Sequence, residues 1–242
     1  MLLVAAPAPL AEVQVAPAPA PATPAAPKWT GSVALGATYA DGNTERKTAS
    51  ATGDAEYRRE KDRTTLGFLW NYAEEQGVLT GRKTEGRGKY DRFFSKKMYG
   101  LVQASAESDF QAALDLRTTI GVGVGYQFQD KPSWKVAAEV GVAYVDSDYV
   151  GTVDDTSGPA ARAAYNWAWT PNDKYNLSQV GEIFPSLERA EDVNARVDTK
   201  GRMNLSAKMF AQIEWLYQWD NTPATGKERQ DNLVLLGVGW SF

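Results

Sequence analysis

From Trp29 to Phe242 apolar and polar residues alternate with a period of two almost throughout, the signature of strands that turn one face to an apolar medium. The first such stretch, Trp29 to Tyr39, puts Trp29, Val33, Leu35 and Tyr39 on one side and Thr30, Ser32 and Thr38 on the other. The same pattern predicts strands near residues 48–57, 64–73, 84–93, 98–106, 117–128, 134–144, 161–169, 175–184, 193–203 and 211–219. The stretches at 98–106 and 175–184 alternate poorly. The last strand, Asn232 to Phe242, sets Val234, Leu236, Val238, Trp240 and Phe242 against Leu233, Leu235, Gly237, Gly239 and Ser241. The total is about twelve strands, an even number, as antiparallel closure requires.

Tight connections alternate with longer ones. Residues 59–62, 95–97, 130–133, 170–173 and 206–208 read as short turns, whereas 74–82, 107–115, 146–159, 184–192 and 220–229 read as longer loops. Short periplasmic turns facing longer outer loops are the topology of an outer-membrane barrel. All eight tryptophans lie on the apolar face, mostly near strand ends, as an interfacial aromatic girdle does. A barrel of this size with its apolar face inward would enclose a large dry cavity. The apolar face therefore looks out to lipid. The predicted fold is all-β: a transmembrane antiparallel β-barrel of outer-membrane type over residues 29–242. The alternation that ends in Val238, Trp240 and Phe242 resembles the carboxy-terminal sorting signal of such barrels, which implies handling by the barrel-assembly machinery.

Composition narrows the function. The 242-residue chain has a net charge of −4 and no basic patch that would suit nucleic acid. It contains neither cysteine nor histidine, so disulfides, thiolate chemistry and a Ser-His-Asp triad are ruled out. No enzyme and no cofactor are expected. Residues 1–28 divide into the end of a signal-like apolar run and an Ala/Pro-rich stretch, expected to be an extended periplasmic tether.

Several segments resemble a bacterial outer-membrane family of unassigned function whose members are labelled salt-induced outer-membrane proteins. They are Trp29-Thr30-Gly31-Ser32 with Leu35-Gly36, Gly42-Asn43-Thr44, Lys61-Asp62-Arg63, and Tyr90-Asp91-Arg92-Phe93. Leu114-Asp115-Leu116-Arg117-Thr118 running on to Gly125-Tyr126-Gln127, and Pro223-Ala224-Thr225-Gly226-Lys227 running on to Phe242, complete the set. The resemblance implies fold and outer-membrane location and supplies no mechanism. Residues 175–184 and the loop after Asp146 depart from it, so no loop-borne binding is carried over.

The polar face gives the candidate lumen lining: Glu85, Arg87, Lys89, Asp91, Arg117, Lys135, Glu139, Arg162, Arg196, Asp198, Lys200, Arg202 and Glu214. Charges of both signs facing each other either pair and fill the barrel or line a narrow aqueous path. The inward glycines Gly121, Gly123, Gly125, Gly141, Gly237 and Gly239 favour open space. The glycines of residues 121–125 have strand spacing and no following helix, unlike a phosphate-binding loop. Asp146, Asp148, Asp154 and Asp155 crowd the longest loop but lack EF-hand spacing, and no metal site is assigned to them. The turns lean basic (Arg58, Arg59, Lys61, Arg63, Lys96, Lys97, Lys131, Lys174, Lys208), which suits anionic headgroups. The expected partners are outer-membrane lipid and lipopolysaccharide. The expected function is a narrow passive channel for ions or small polar solutes, with a plugged structural barrel as the alternative.

Overall fold

The computed structural model describes residues 28–41, 45–151 and 155–242. Residues 1–27 of the expected tether, the Gly42-Asn43-Thr44 segment and Asp154 lie outside them. Twelve antiparallel strands close into one barrel in simple sequential order, β1 meeting β12. They are β1 (Trp29–Ala40), β2 (Arg46–Arg58), β3 (Asp62–Glu75), β4 (Val78–Phe93), β5 (Met98–Asp109), β6 (Leu114–Lys131), β7 (Trp134–Tyr149), β8 (Thr156–Asn172), β9 (Tyr175–Pro185), β10 (Val193–Asn204), β11 (Met209–Asp220) and β12 (Gln230–Ser241).

Alternation fixes which side of each strand meets lipid. Ile120, Val122 and Val124 on β6, Val140, Val142 and Tyr144 on β7, and Val234, Leu236, Val238 and Trp240 on β12 are all exposed outside. Between them Thr119, Glu139, Leu235 and their equivalents are buried inside. A chain that leaves this much apolar surface uncovered needs an apolar solvent, and closure leaves no strand edge facing it.

The strands run further toward the outer side than the alternation alone suggests. The loop expected over 74–82 is a two-residue turn at Gln76 and Gly77, both with positive φ (50° and 76°), the geometry that matches strand twist in a tight hairpin. The expected 107–115 and 146–159 loops shrink in the same way, because β5 continues to Asp109, β7 to Tyr149 and β8 begins at Thr156. Asp146 and Asp148 are therefore strand residues. About 9–11 residues suffice to cross a bilayer, whereas β4, β6, β7 and β8 have 16, 18, 16 and 17. The wall is thus longer than a bilayer crossing needs.

Closure is made by the chain's last residue. Phe242 N–H donates to Gly31 O at 2.9 Å, and Gly31 N–H donates to Phe242 O at 3.1 Å. From there β1 and β12 stay in register from Ser32–Ser241 to Leu35–Val238. A Cβ on Gly31 would fall 2.7 Å from the Phe242 ring, so glycine is what lets that ring lie against β1.

Candidate functional site: a charged lumen in layers

Side chains from strands that are not neighbours in the ring can meet only across the interior. Many do, and they define three layers. In the middle layer β4 faces β10, six strands away in either direction. Arg196 forms an ion pair with Glu85, Arg87 Nη2 lies 3.3 Å from Asp198 Oδ2, and Arg87 Nε lies 3.0 Å from Glu85 Oε1. Lys200 extends the layer to Asp54 on β2 (2.9 Å) and to Glu214 on β11 (3.5 Å). Arg202 joins Asp54 at 3.2 Å and bonds Gln212 Oε1 at 2.6 Å.

In the outer layer Lys83 Nζ sits 2.8 Å from Asp109 and 3.3 Å from Glu107, and donates to Gln218 on β11 at 2.7 Å. Arg117 reaches Asp220 on β11 at 2.8 Å and Glu107 at 3.4 Å. The third layer, nearer the short turns, centres on Glu139, which pairs with Lys89, receives Arg162 Nη2 at 3.0 Å and accepts the Tyr99 hydroxyl at 2.7 Å. Arg162 also holds Glu182 at 2.5 Å, and Arg63 holds Asp91 at 2.6 Å. At the rim, Arg58 on β2 reaches Asp130 on β6 at 2.9 Å, a strut over the mouth.

Not all the lining is charged. Leu69 on β3, Leu216 on β11 and Leu235 on β12 form a buried cluster, joined by Leu233. β1 and β2 lie between these strands and offer small lumenal residues, Ser32, Ala34 and Thr52, for the leucines to close over. Nor do all the inward glycines leave space. The Tyr99 ring on β5 fills the place a Cβ on Gly125 would take, and the Phe210 ring on β11 does the same at Gly239. Each ring holds a guanidinium on its lumenal side, Arg63 at 5.2 Å from Tyr99 and Arg202 at 4.7 Å from Phe210.

Two cavities lie within the lumen among the described residues. The outer one, about 90 Å³, lies among Lys83, Glu107, Arg117 and Asp220 under the 221–229 loop, whose Ala224 is buried. The inner one, about 260 Å³, lies among Asp54, Glu56, Arg63, Lys89, Glu139 and Arg162. Arg87, Ser105 and Glu182 line both.

Of the residues singled out by alternation, Glu85, Arg87, Lys89, Asp91, Arg117, Glu139, Arg162, Arg196, Asp198, Lys200, Arg202 and Glu214 have lumenal ion pairs. Lys135 is not brought to them. It shares the parity of Glu139 but sits one residue from the start of β7 and is exposed. Val238 and Trp240 face outward. Arg63, expected in a basic turn, is instead buried in β3 against Asp91. Asp54, Glu56, Lys83, Glu107, Asp109 and Glu182 complete the lining. Asp54 and Glu56 share the polar face of β2 with Thr52, and Lys83 and Glu107 fall in segments whose Gly, Glu and Gln content reads as loop. Asp155 lies apart, accepting Tyr149 N–H at 2.9 Å. Among the described residues no group of three or more candidate ligands is placed to hold a metal ion.

The family described as "Protein of unknown function, DUF481" matches residues 33–242, and the chain belongs to it. No curated protein is significantly similar in sequence. Among solved structures, the NanC porin aligns with a TM-score of 0.55 at 7% identity, covering 88% of this chain and 100% of that one. The KdgM porin in complex with disordered oligogalacturonate aligns at 0.42 and 12%, covering 89% and 99%. The outer-membrane channel DcaP of Acinetobacter baumannii aligns at 0.43 and 10%, covering 89% and 96%. At 7% identity the likeness to the NanC porin is one of fold alone, the closed antiparallel barrel.

Proposed function

We propose that this DUF481 barrel resides in the outer membrane as a narrow, non-enzymatic channel for ions and small polar solutes. Its lipid-facing belt meets phospholipid on the periplasmic side and lipopolysaccharide on the other, and Phe242 serves the assembly machinery as the closing residue. One observation carries the channel reading. The two lumenal cavities are neighbours that share Arg87, Ser105 and Glu182 in their walls. Arg87 is also the most exposed member of the middle-layer quartet, at 26% against 4–11% for Glu85, Asp198 and Arg196. It is the side chain freest to move aside.

The test is single-channel conductance of the refolded protein in a planar bilayer over a KCl series. Discrete steps that scale with salt are expected, with Arg87→Ala increasing the step several-fold because truncation joins the cavities. Unchanged steps in that variant would remove Arg87 from the path. A second reading, a plugged barrel with a structural role in the envelope, draws on the Arg58–Asp130 strut and on buried Ala224 under the outer loop. Silence from a barrel shown to be folded by its heat-modifiable gel mobility would favour it.

A further inference from the structure

The charged walls of the inner cavity are already committed to one another. Lys89 and Arg162 are held by Glu139, Arg162 also by Glu182, Arg87 by Glu85 and Asp198, and Asp54 by Lys200 and Arg202. Five other groups line the same cavity with no side-chain hydrogen bond or ion pair among the described residues: Glu56, Thr65, Gln103, Ser105 and Asn166. Arg63 is within electrostatic reach of Glu56, but its Nε is spent on Asp91 at 2.6 Å. Two hydroxyls and two amides thus offer both donors and acceptors, while the one free charge is an acceptor-only carboxylate.

We infer that the inner cavity is a subsite for a small hydrogen-bonding solute that is neutral or carries one positive charge, and that it disfavours anions. An ammonium or hydroxyl group finds Glu56 unoccupied, and the amides and hydroxyls around it take the rest of a polar solute. A carboxylate finds one unspent cationic donor, the buried Nη1 of Arg162, on a guanidinium already neutralised by Glu139 and Glu182. It must sit against those two carboxylates or break an existing buried pair, leaving that pair's own carboxylate without compensation. The inference rests on the channel reading for the solute's route in, but the subsite itself does not need conduction.

The experiment compares three solutes of nearly equal size: ethanolammonium, ethylene glycol and glycolate. Reversal potentials in opposed gradients of ethanolammonium chloride and potassium glycolate give the permeability ratio. The cation is expected to be favoured by roughly two- to fivefold, the effect of one partly solvated charge contact. Glu56→Gln should bring the ratio down, and Lys135→Ala, outside the cavity, should leave it where it was. A ratio at or below unity in the unmodified protein, or one indifferent to Glu56→Gln, overturns the inference. Saturation-transfer NMR on the folded barrel in detergent micelles supplies a readout free of conduction. Signals from ethanolammonium and ethylene glycol but not glycolate, the first lost in Glu56→Gln, support the subsite even if the bilayer is silent. That combination would sink the channel and keep the site. Equal signals from all three solutes, or none from any, would sink the site itself.

Discussion

On β4 five successive lumenal residues ionise (Lys83, Glu85, Arg87, Lys89, Asp91), and on β10 four do (Arg196, Asp198, Lys200, Arg202). Across the ring, where β3, β11 and β12 face one another over β1 and β2, the corresponding interior is Leu69, Leu216, Leu233 and Leu235 against small side chains. Both regions contain largely buried side chains. The leucine side is stabilised by contact and tolerates any shape that fills it. The charged side loses hydration on burial and regains it only through specific partners, so its geometry is dictated pair by pair. Buried ion pairs are a poor way to gain stability. Their concentration on the side that borders both cavities suits the proposed channel better than a role in holding the barrel together.

The sharpest way to break this comparison is a double-mutant cycle on the Glu85–Arg196 pair. Glu85→Ala leaves Arg196 buried with only Asp198 to face, and should cost about 3–5 kcal/mol of unfolding free energy. Replacing both partners, Glu85→Leu with Arg196→Met, should return stability close to that of the unmodified barrel while lowering conductance. Urea unfolding in micelles measures the first and planar bilayers the second. A double variant as unstable as the single one would mean the pair holds the barrel together after all.

Next in size is the apolar side. Leu216→Ala removes a side chain 1% exposed and should cost about 3 kcal/mol through the cavity it leaves. Channel properties should stay as they are, since the leucines border neither cavity. If instead the conductance of Leu216→Ala rose, solutes would be passing along the β1–β2 wall, and the assignment of two distinct sides would fail.

How much of this was legible beforehand follows from what period-two alternation encodes. It says which face a residue occupies, and it places Glu85, Asp198 and their neighbours opposite the lipid-facing side chains because nothing about the partner is needed. It does not say who meets whom. Glu85 finds Arg196, 111 positions away in the chain, only through closure and the stagger of twelve strands. The strand extensions that carry Lys83 and Glu107 inward were hidden because their Gly- and Glu-rich neighbours imitate loop. The tight turn at Gln76-Gly77 was a signal that could have exposed the first of them. The leucine side had its own signal. Leu69, Leu216, Leu233 and Leu235 are apolar residues on the polar parity, and such interruptions mark where a lumen is packed instead of wet. Why Gly125 and Gly239 are filled while other glycines are not depends on Tyr99 and Phe210 one strand away, which no pattern within a single strand reveals.

Lys135 provides the smallest expected effect and a useful control. By parity it belongs with Ala137 and Glu139, yet it is solvated at the periplasmic rim with no ion pair among the described residues. Lys135→Ala should shift stability by no more than about 0.5 kcal/mol, the usual range for a surface change away from any network. It should also leave step size and ion preference as they were at moderate salt, because a rim charge beyond about a Debye length of the constriction is screened. The distinction between rim and lining becomes quantitative if the measurement is repeated at low ionic strength, where that length grows to about 30 Å. A preference that appears only there, and disappears with Lys135→Ala, would show the basic rim acting on ions at a distance. A preference lost at all salt concentrations would place Lys135 functionally among the lining residues, despite the exposed position it holds at the start of β7.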